Sequence, residues 1–112
     1  MPQPISDSWR KKVVAALKTN NCKIIDWTPQ AFQRWQLDSY GGTRPDAYDA
    51  IIATLSLPTV LGNETTSFPG QQAAYEFFFR YGMRDMYGKI ALRNDGVRIL
   101  ILSAHKPNRG SL

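Results

Sequence analysis

The chain has 112 residues, 43% of them hydrophobic and 21% charged, and its formal net charge is +5. This length holds a single domain, 1–112, because it is too short for two independent cores. No apolar run approaches the roughly 18 residues that span a membrane, and no signal-peptide pattern opens the chain, so we expect a cytoplasmic protein without membrane association.

The positive charge is concentrated in the last third of the chain. Residues 80–112 contain seven Lys and Arg residues against two acids and carry the whole excess, whereas residues 1–79 are balanced. A basic surface on one sheet suits a polyanion, most often nucleic acid, or an acidic protein partner. A basic face that only keeps the protein soluble has the same composition, so charge alone does not separate these interpretations.

The first half of the chain predicts helices. Two prolines in residues 1–5 favour a flexible arm. Polar caps precede the apolar periodicity of each helix: one within Ser6-Asp7-Ser8 for the first, Thr28 before Pro29 for the second, and Asp46 for the third. The helices are expected at residues 6–18, 29–37 and 46–57, with a short strand at 22–27.

Residues 74–106 predict an antiparallel sheet. Aromatic and β-branched residues are dense in this segment, and glycine-containing turns interrupt it at Gly82 and at residues 94–96. Three strands are expected, at residues 75–81, 87–93 and 97–104. Helices first and a β-meander last predict an α+β fold, with the N-terminal helices packed on a C-terminal antiparallel β-meander sheet.

Two further segments are expected to lie outside this core. Residues 58–73 are rich in Gly, Pro, Thr, Asn and Gln, which favours an exposed loop. Residues 107–112 form a basic tail.

Two registers are open for the last hairpin. If its turn is the three residues 94–96, with the glycine left-handed, Tyr87 lies opposite Ser103 and on the same face as His105. If the turn is the two residues 95–96, Ser103 and His105 move to the other face. Both registers leave an acceptable apolar face. We predict the three-residue turn, because only it brings these polar residues together without a bulge.

The motifs of common enzyme sites are absent. There is no glycine-rich phosphate loop, no Gly-x-Ser-x-Gly elbow and no pair of His or Cys residues at metal-ligand spacing. The single cysteine, Cys22, excludes an internal disulfide and is expected to be a half-buried thiol. The single histidine, His105, excludes sites that need two. We therefore expect neither a cofactor nor a metal.

The C-terminal strands resemble a known family. The matching segments are Tyr75-Glu76, Phe79-Arg80, Met86-Tyr87-Gly88-Lys89-Ile90 and Ile101-Leu102-Ser103-Ala104-His105, with weaker matches at 49–55 and Thr65-Thr66. In these segments the chain resembles the MqsR-like (motility quorum-sensing regulator) toxins of the RelE/HigB-type ribonuclease superfamily. The resemblance implies a RelE/barnase-like fold and an mRNA endonuclease that a cognate antitoxin holds inactive.

The chain departs from the family pattern at three positions. Glu76 stands where the family has a catalytic Gln, and His105 where it has a catalytic Lys. Gly62, or a neighbour, falls where another catalytic Lys is expected. Tyr87 alone matches a functional residue of the family in kind.

The substituted residues still suit metal-free RNA cleavage, which needs a base for the 2′-OH, an acid for the 5′-oxygen and cations at the phosphorane. His105, with an ordinary pKa of about 6.5, suits the acid or the base. Glu76 is the base or orients the histidine, and Tyr87 stacks on a nucleobase or donates a proton. Phosphate contacts are expected from Arg80 and Lys89, and further RNA contacts from Arg84, Arg93, Lys106 and Arg109.

Each of these residues also has a purely structural interpretation. A histidine at a strand end is often only a hydrogen-bonded surface residue, and Tyr87 fits an ordinary cross-strand aromatic. Glu76 and Arg80 fit exposed residues on one strand face. Two alternative functions follow: a non-catalytic basic module or inhibitor that docks on nucleic acid or an acidic protein surface, or the ribonuclease toxin domain of a secreted polymorphic effector with an immunity protein.

Overall fold

Three helices and six strands form the part of the protein that the computed structural model describes, residues 2–65 and 71–107. The helices are α1 (Asp7–Thr19), α2 (Pro29–Asp38) and α3 (Arg44–Leu55). The strands are β1 (Gln3–Pro4), β2 (Ile25–Trp27), β3 (Leu61–Thr65), β4 (Gln71–Tyr81), β5 (Arg84–Arg93) and β6 (Ile99–His105).

Each helix begins at a polar cap. Ser6, Thr28 and Thr43 each accept a hydrogen bond from the backbone N–H three residues further on, which satisfies one of the free donors of the first turn. The cap predicted within Ser6-Asp7-Ser8 is confirmed and is Ser6, and the cap predicted at Thr28 is confirmed as well. The prediction for the third is wrong, because Asp46 lies inside α3 and its carboxylate accepts from the N–H of Thr43, completing a capping box.

The helices pack on one face of the sheet through their apolar stripes. Trp9, Val13 and Leu17 of α1 are each no more than 3% exposed. Trp35 of α2 is fully buried, and its ring centroid lies 4.9 Å from that of Tyr81 on β4. These aromatic contacts bury the helix-facing side of β4 and make one continuous core.

The sheet is mixed, with the strand order β1-β3-β4-β5-β6-β2. The α+β class and the helices-then-sheet order are confirmed, but the prediction of a purely antiparallel sheet is wrong. β2 pairs in parallel with β6, where Ile25 lies opposite Ile99 and Trp27 opposite Ile101. Ile25 and Trp27 lie on the helix-covered face. The short strand before α2 therefore pairs with the free edge of β6 and extends the core.

The structure corrects three expectations about the flanking segments. Gln3–Pro4 pairs with β3 and Ile5 is 3% exposed, so residues 1–5 are not a free arm. The expected loop 58–73 contains β3 and the first residues of β4. Cys22 is exposed rather than half-buried. Residues 66–70 of the expected loop and 108–112 of the expected tail lie outside the described residues.

The turn of the last hairpin has four residues, 94–97, so the prediction of a three-residue turn is wrong. The N–H of Arg93 donates to the carbonyl oxygen of Arg98 at 2.9 Å and closes the loop. The carboxylate of Asp95 accepts from the backbone N–H groups two and three residues further on, both at 2.9 Å, which keeps position 97 in the loop. Gly96 has a φ of 70°, the predicted left-handed conformation.

A one-residue bulge follows this turn. Ile90 pairs with Ile101, which is the register expected for a two-residue turn, but the next pair is Lys89 with Ser103. Leu102 is therefore an extra residue in β6. Beyond a bulge of this kind the side chains alternate between the two faces again. Each residue then points to the opposite face from the one it would have without the bulge.

Candidate functional site

The helices leave the opposite face of the sheet without a helix packed on it in the described part of the chain. Side chains on this open face stand in cross-strand rows, because residues paired in an antiparallel ladder point to the same side. One row, drawn from β3, β4, β5 and β6 in turn, consists of Asn63, Glu76, Lys89 and Ser103. The next row, from β4, β5 and β6, consists of Phe78, Tyr87 and His105.

Tyr87 and His105 share this face, although the register that we predicted for them is wrong. The two residues are direct Cα partners, whereas the prediction placed Tyr87 opposite Ser103. The bulge at Leu102 brings them together, since without it β6 would turn His105 towards the helices. Their ring centroids are 5.2 Å apart at an interplanar angle of 37°.

Tyr87 lies at the centre of the site. Its hydroxyl donates to Glu76 Oε2 at 2.5 Å, in the range of a short hydrogen bond to a carboxylate. Burial raises the pKa of Tyr87 well above its ordinary value of 10, and the hydrogen bond and negative charge of Glu76 raise it further. The hydroxyl therefore keeps its proton at neutral pH and acts as a donor.

Asn63 holds the other side of the Glu76 carboxylate. Its side-chain amide donates to Glu76 Oε1 at 3.3 Å, so both carboxylate oxygens are occupied. The neighbouring Gly62 has no room for a side chain: a Cβ atom there would lie 2.5 Å from the backbone oxygen of Glu76. No lysine side chain fits at position 62. Sequence reasoning missed Asn63 because β3 was expected to be a loop, without alternating faces.

His105 is buried, and its hydrogen bond fixes its tautomer. The side chain is 7% exposed, and Nδ1 lies 2.6 Å from the backbone oxygen of Lys106. A carbonyl oxygen only accepts, so Nδ1 carries the proton and the neutral ring has its lone pair on Nε2. Among the described residues none forms a hydrogen bond with Nε2.

A cleft of about 390 Å³ opens between β6 and α2 beside the histidine. The side chains that line it are polar apart from Ala31 and Leu102; they belong to Gln30, Gln33, Arg34, Ser103 and His105. Amide and guanidinium groups of this kind suit hydrogen bonds to the edge of a nucleobase or to a phosphate. The sequence did not indicate that Gln30, Gln33 and Arg34 belong to a site, because nothing local predicts that α2 lies against β6.

The two cations expected at the phosphate differ in their surroundings. Lys89 stands between Glu76 and Ser103 in the first row and is half-buried. Arg80 lies on the same face, one row beyond Phe78, and is exposed. Its guanidinium is 3.1 Å from the carboxylate of Asp85, so part of its charge is already compensated.

Three of the four cations expected to contact RNA lie in the described residues, and these three do not form one surface. Arg93 pairs with Asp26 at 3.2 Å, and it lies nine residues from Arg84 on β5, a distance of about 30 Å. Arg84 and Lys106 instead converge on the ring of Tyr40, with Cζ 3.8 Å and Nζ 5.7 Å from its centroid. Arg109 and Thr66 lie outside the described residues.

No protein-family model matches the chain, and no curated protein or solved structure matches it either. None of the described helices is long and apolar enough to cross a membrane. Within residues 2–65 and 71–107, no group of three or more His, Cys, Asp or Glu side chains could hold a metal ion.

Proposed function

We propose that the protein is a metal-independent endoribonuclease that cleaves RNA by attack of the 2′-OH on the adjacent phosphate. One observation carries the proposal: Tyr87 stands on the open sheet face between a carboxylate, 2.5 Å from its hydroxyl, and a buried histidine, 5.2 Å from its ring. Neutral His105 with its lone pair on Nε2 supplies a base, and Tyr87 supplies a hydroxyl that is protonated at neutral pH.

The reaction is then a transfer of two protons around one phosphorus. His105 Nε2 takes the proton of the 2′-OH as the 2′-oxygen bonds to phosphorus. The bond from phosphorus to the 5′-oxygen breaks, and the Tyr87 hydroxyl turns from Glu76 to donate its proton to that oxygen. The imidazolium and the tyrosinate return to their neutral forms by passing one proton from His105 to Tyr87. The products are a 2′,3′-cyclic phosphate and a free 5′-OH.

Glu76 acts through Tyr87 and is a positioning residue. Both of its oxygens are already hydrogen-bonded, one to Tyr87 and one to Asn63, so the carboxylate is poorly placed to take the 2′-OH proton. Lys89, adjacent to Glu76 in the first row, supplies positive charge to the phosphorane. Arg80 remains a weaker candidate for this role because it is exposed and paired with Asp85.

The biological role that we propose is that of a bacterial toxin in the cytoplasm, with the RelE/barnase-like arrangement of helices on one sheet face. A cognate antitoxin or immunity protein would neutralise it by covering the open face. The helix-free face that carries Glu76, Tyr87 and His105 supports this role, since a partner docked there blocks the substrate without entering the core.

Purified protein incubated with single-stranded RNA in the presence of EDTA tests the activity. We expect fragments that end in a 2′,3′-cyclic phosphate and no cleavage of the 2′-deoxy strand. His105→Asn keeps a donor for the backbone oxygen but lacks Nε2, and it should lower the rate about 10²–10⁴-fold. Tyr87→Phe should lower it comparably, and Lys18→Ala is the control because it changes an exposed residue of α1 outside the site.

Two results would contradict the proposal. If the wild type leaves RNA intact but binds it, the protein is a binding module. If it cleaves RNA and His105→Asn cleaves at the same rate, the site lies elsewhere. Growth arrest on expression by the wild type, absent with His105→Asn, tests the toxin role separately.

A further inference from the structure

Tyr40 is an exposed aromatic ring held between two cations at the end of the sheet. The residue is 69% exposed and lies just after α2. The Arg84 guanidinium is 3.8 Å from the ring centroid, and the Lys106 ammonium is 5.7 Å from it. Both distances are within the range of cation–π contact.

Asp38, the last residue of α2, fixes this arrangement to the sheet. Its carboxylate accepts from the backbone N–H of Lys106 at 2.9 Å, and its backbone oxygen accepts from the Arg84 guanidinium at 3.4 Å. The backbone of Tyr40 is left-handed, with a φ of 57°, which is uncommon for a bulky side chain. The chain thus leaves α2 with the ring directed to solvent beside the ends of β5 and β6.

The two cations at Tyr40 differ from three other arginines in or next to the sheet. Arg80, Arg93 and Arg98 each pair with a carboxylate at 2.7–3.2 Å. Among the described residues, neither the Arg84 nor the Lys106 side chain has a carboxylate within 4.0 Å. Their charge remains available to a ligand. In the described part of the chain, no other pair of such cations lies around one exposed ring.

A concave surface adjoins the ring. It has a volume of about 570 Å³ and lies between the turn after β4 and the segment after α2, lined by Ser39, Tyr40, Tyr81, Gly82, Met83 and Arg84. Met83 in this turn is 90% exposed. The surface therefore combines an aromatic face, a flexible thioether and the Arg84 guanidinium, and Lys106 lies beside the same ring.

We propose that Tyr40, Arg84 and Lys106 form a subsite for one nucleotide of single-stranded RNA. A base stacks on the Tyr40–Arg84 pair, and the flanking phosphates contact Arg84 and Lys106. Stacking on an aromatic ring or an Arg plane beside backbone-binding cations is how proteins hold unpaired nucleotides. The surface favours a nucleic acid over an acidic peptide, because a nucleotide offers a flat base to the ring as well as phosphates to the two cations, whereas acidic side chains offer only the charge.

The identification of this RNA as the substrate rests on the proposed function, but binding does not. The experiment therefore uses a fluorescein-labelled 2′-O-methyl RNA oligonucleotide, which cannot be cleaved by 2′-OH attack, and measures the dissociation constant by anisotropy at several salt concentrations. A copy with 2-aminopurine reports base stacking by quenching of its fluorescence.

We expect Tyr40→Ala to weaken binding about 5- to 150-fold and to abolish the quenching, while Tyr40→Phe retains both. Lys106→Ala should reduce the salt dependence by about one counterion, and Lys18→Ala, which removes the same charge from α1, should leave it unchanged.

The outcomes separate this subsite from the proposed function. If Tyr40→Ala binds and quenches as the wild type does, the subsite is wrong, whether or not RNA is cleaved. If the wild type binds through Tyr40 but cleaves no RNA, the subsite stands and the ribonuclease fails. If a labelled oligo-glutamate peptide of equal charge binds as tightly and Tyr40→Ala weakens it equally, the surface recognises an acidic protein segment and the assignment to RNA is overturned.

Discussion

Replacement of Tyr87 by Phe removes one hydroxyl and leaves the ring in place. The hydrogen bond that is lost joins this hydroxyl to a half-buried carboxylate at 2.5 Å. Hydrogen bonds to charged groups contribute about 1.5–3 kcal/mol, and partial exposure of both partners places this one near the lower end, at about 1.5–2 kcal/mol. For a chain of 112 residues this corresponds to a fall in Tm of about 6–8 °C.

The coupling between Tyr87 and Glu76 gives a stricter measure. Glu76→Gln keeps an acceptor but removes the charge, so Tyr87→Phe should cost about 1 kcal/mol less in that background than in the wild type. Tyr81→Phe is the matched control, because its hydroxyl has no hydrogen bond within the described residues and it should shift the Tm by less than about 2 °C.

The stability difference between the wild type and Tyr87→Phe can also be tested at alkaline pH. The pKa of Tyr87 is raised in the folded protein, so its stabilising contribution is complete below about pH 10 and is lost as the pH rises towards the folded pKa. Burial also raises the pKa of Tyr48, so wild type and Tyr87→Phe must be compared at each pH. Thermal unfolding followed by circular dichroism between pH 7 and pH 11 should show their difference shrinking above about pH 10. Additive effects of the two substitutions, or a constant difference across this range, would refute the reasoning.

Two further predictions concern the scaffold of the site. Gly62→Ala places a Cβ 2.5 Å from the backbone oxygen of Glu76, so we expect a loss of about 3 kcal/mol or more, measured by urea unfolding; an unchanged midpoint would contradict the close strand approach. In the last turn, backbone N–H groups of Arg98 and Val97 lower the pKa of Asp95 to about 2. Its contribution to stability is therefore present above about pH 4 and lost as the pH falls towards 2, and NMR titration of the carboxyl carbon should show this pKa.

The helices were predictable from the sequence because their determinants are local. Ser6 and Thr28 cap the helices within one turn, and the apolar stripe of α1 is visible in consecutive residues. The pairing of β1 and β2 was not predictable, since each strand is at most three residues long and its partner lies more than fifty residues away. Such contacts depend on which sheet edges remain free once the larger elements have packed.

The candidate site was predictable in its residue types but not in its geometry. Tyr87, Glu76 and His105 were singled out by their chemistry, and the structure brings all three onto one face. The register was wrong because both alternatives bury a satisfactory set of apolar residues, so hydrophobic pattern did not distinguish them. The Asp95 carboxylate, which organises a four-residue turn, and the bulge at Leu102 settle the alignment instead.

The bulge has a consequence for how the last strand tolerates changes in length. Because Leu102 is one residue more than a regular ladder needs, a chain without it would still place Ser103 opposite Lys89 and His105 opposite Tyr87. The number of residues between the turn and the histidine is therefore free to differ by one between proteins that keep the same site. An alignment that forbids a gap in β6 would separate such proteins, and the Tyr87–His105 pair is a better basis for comparing them than the spacing of the strand.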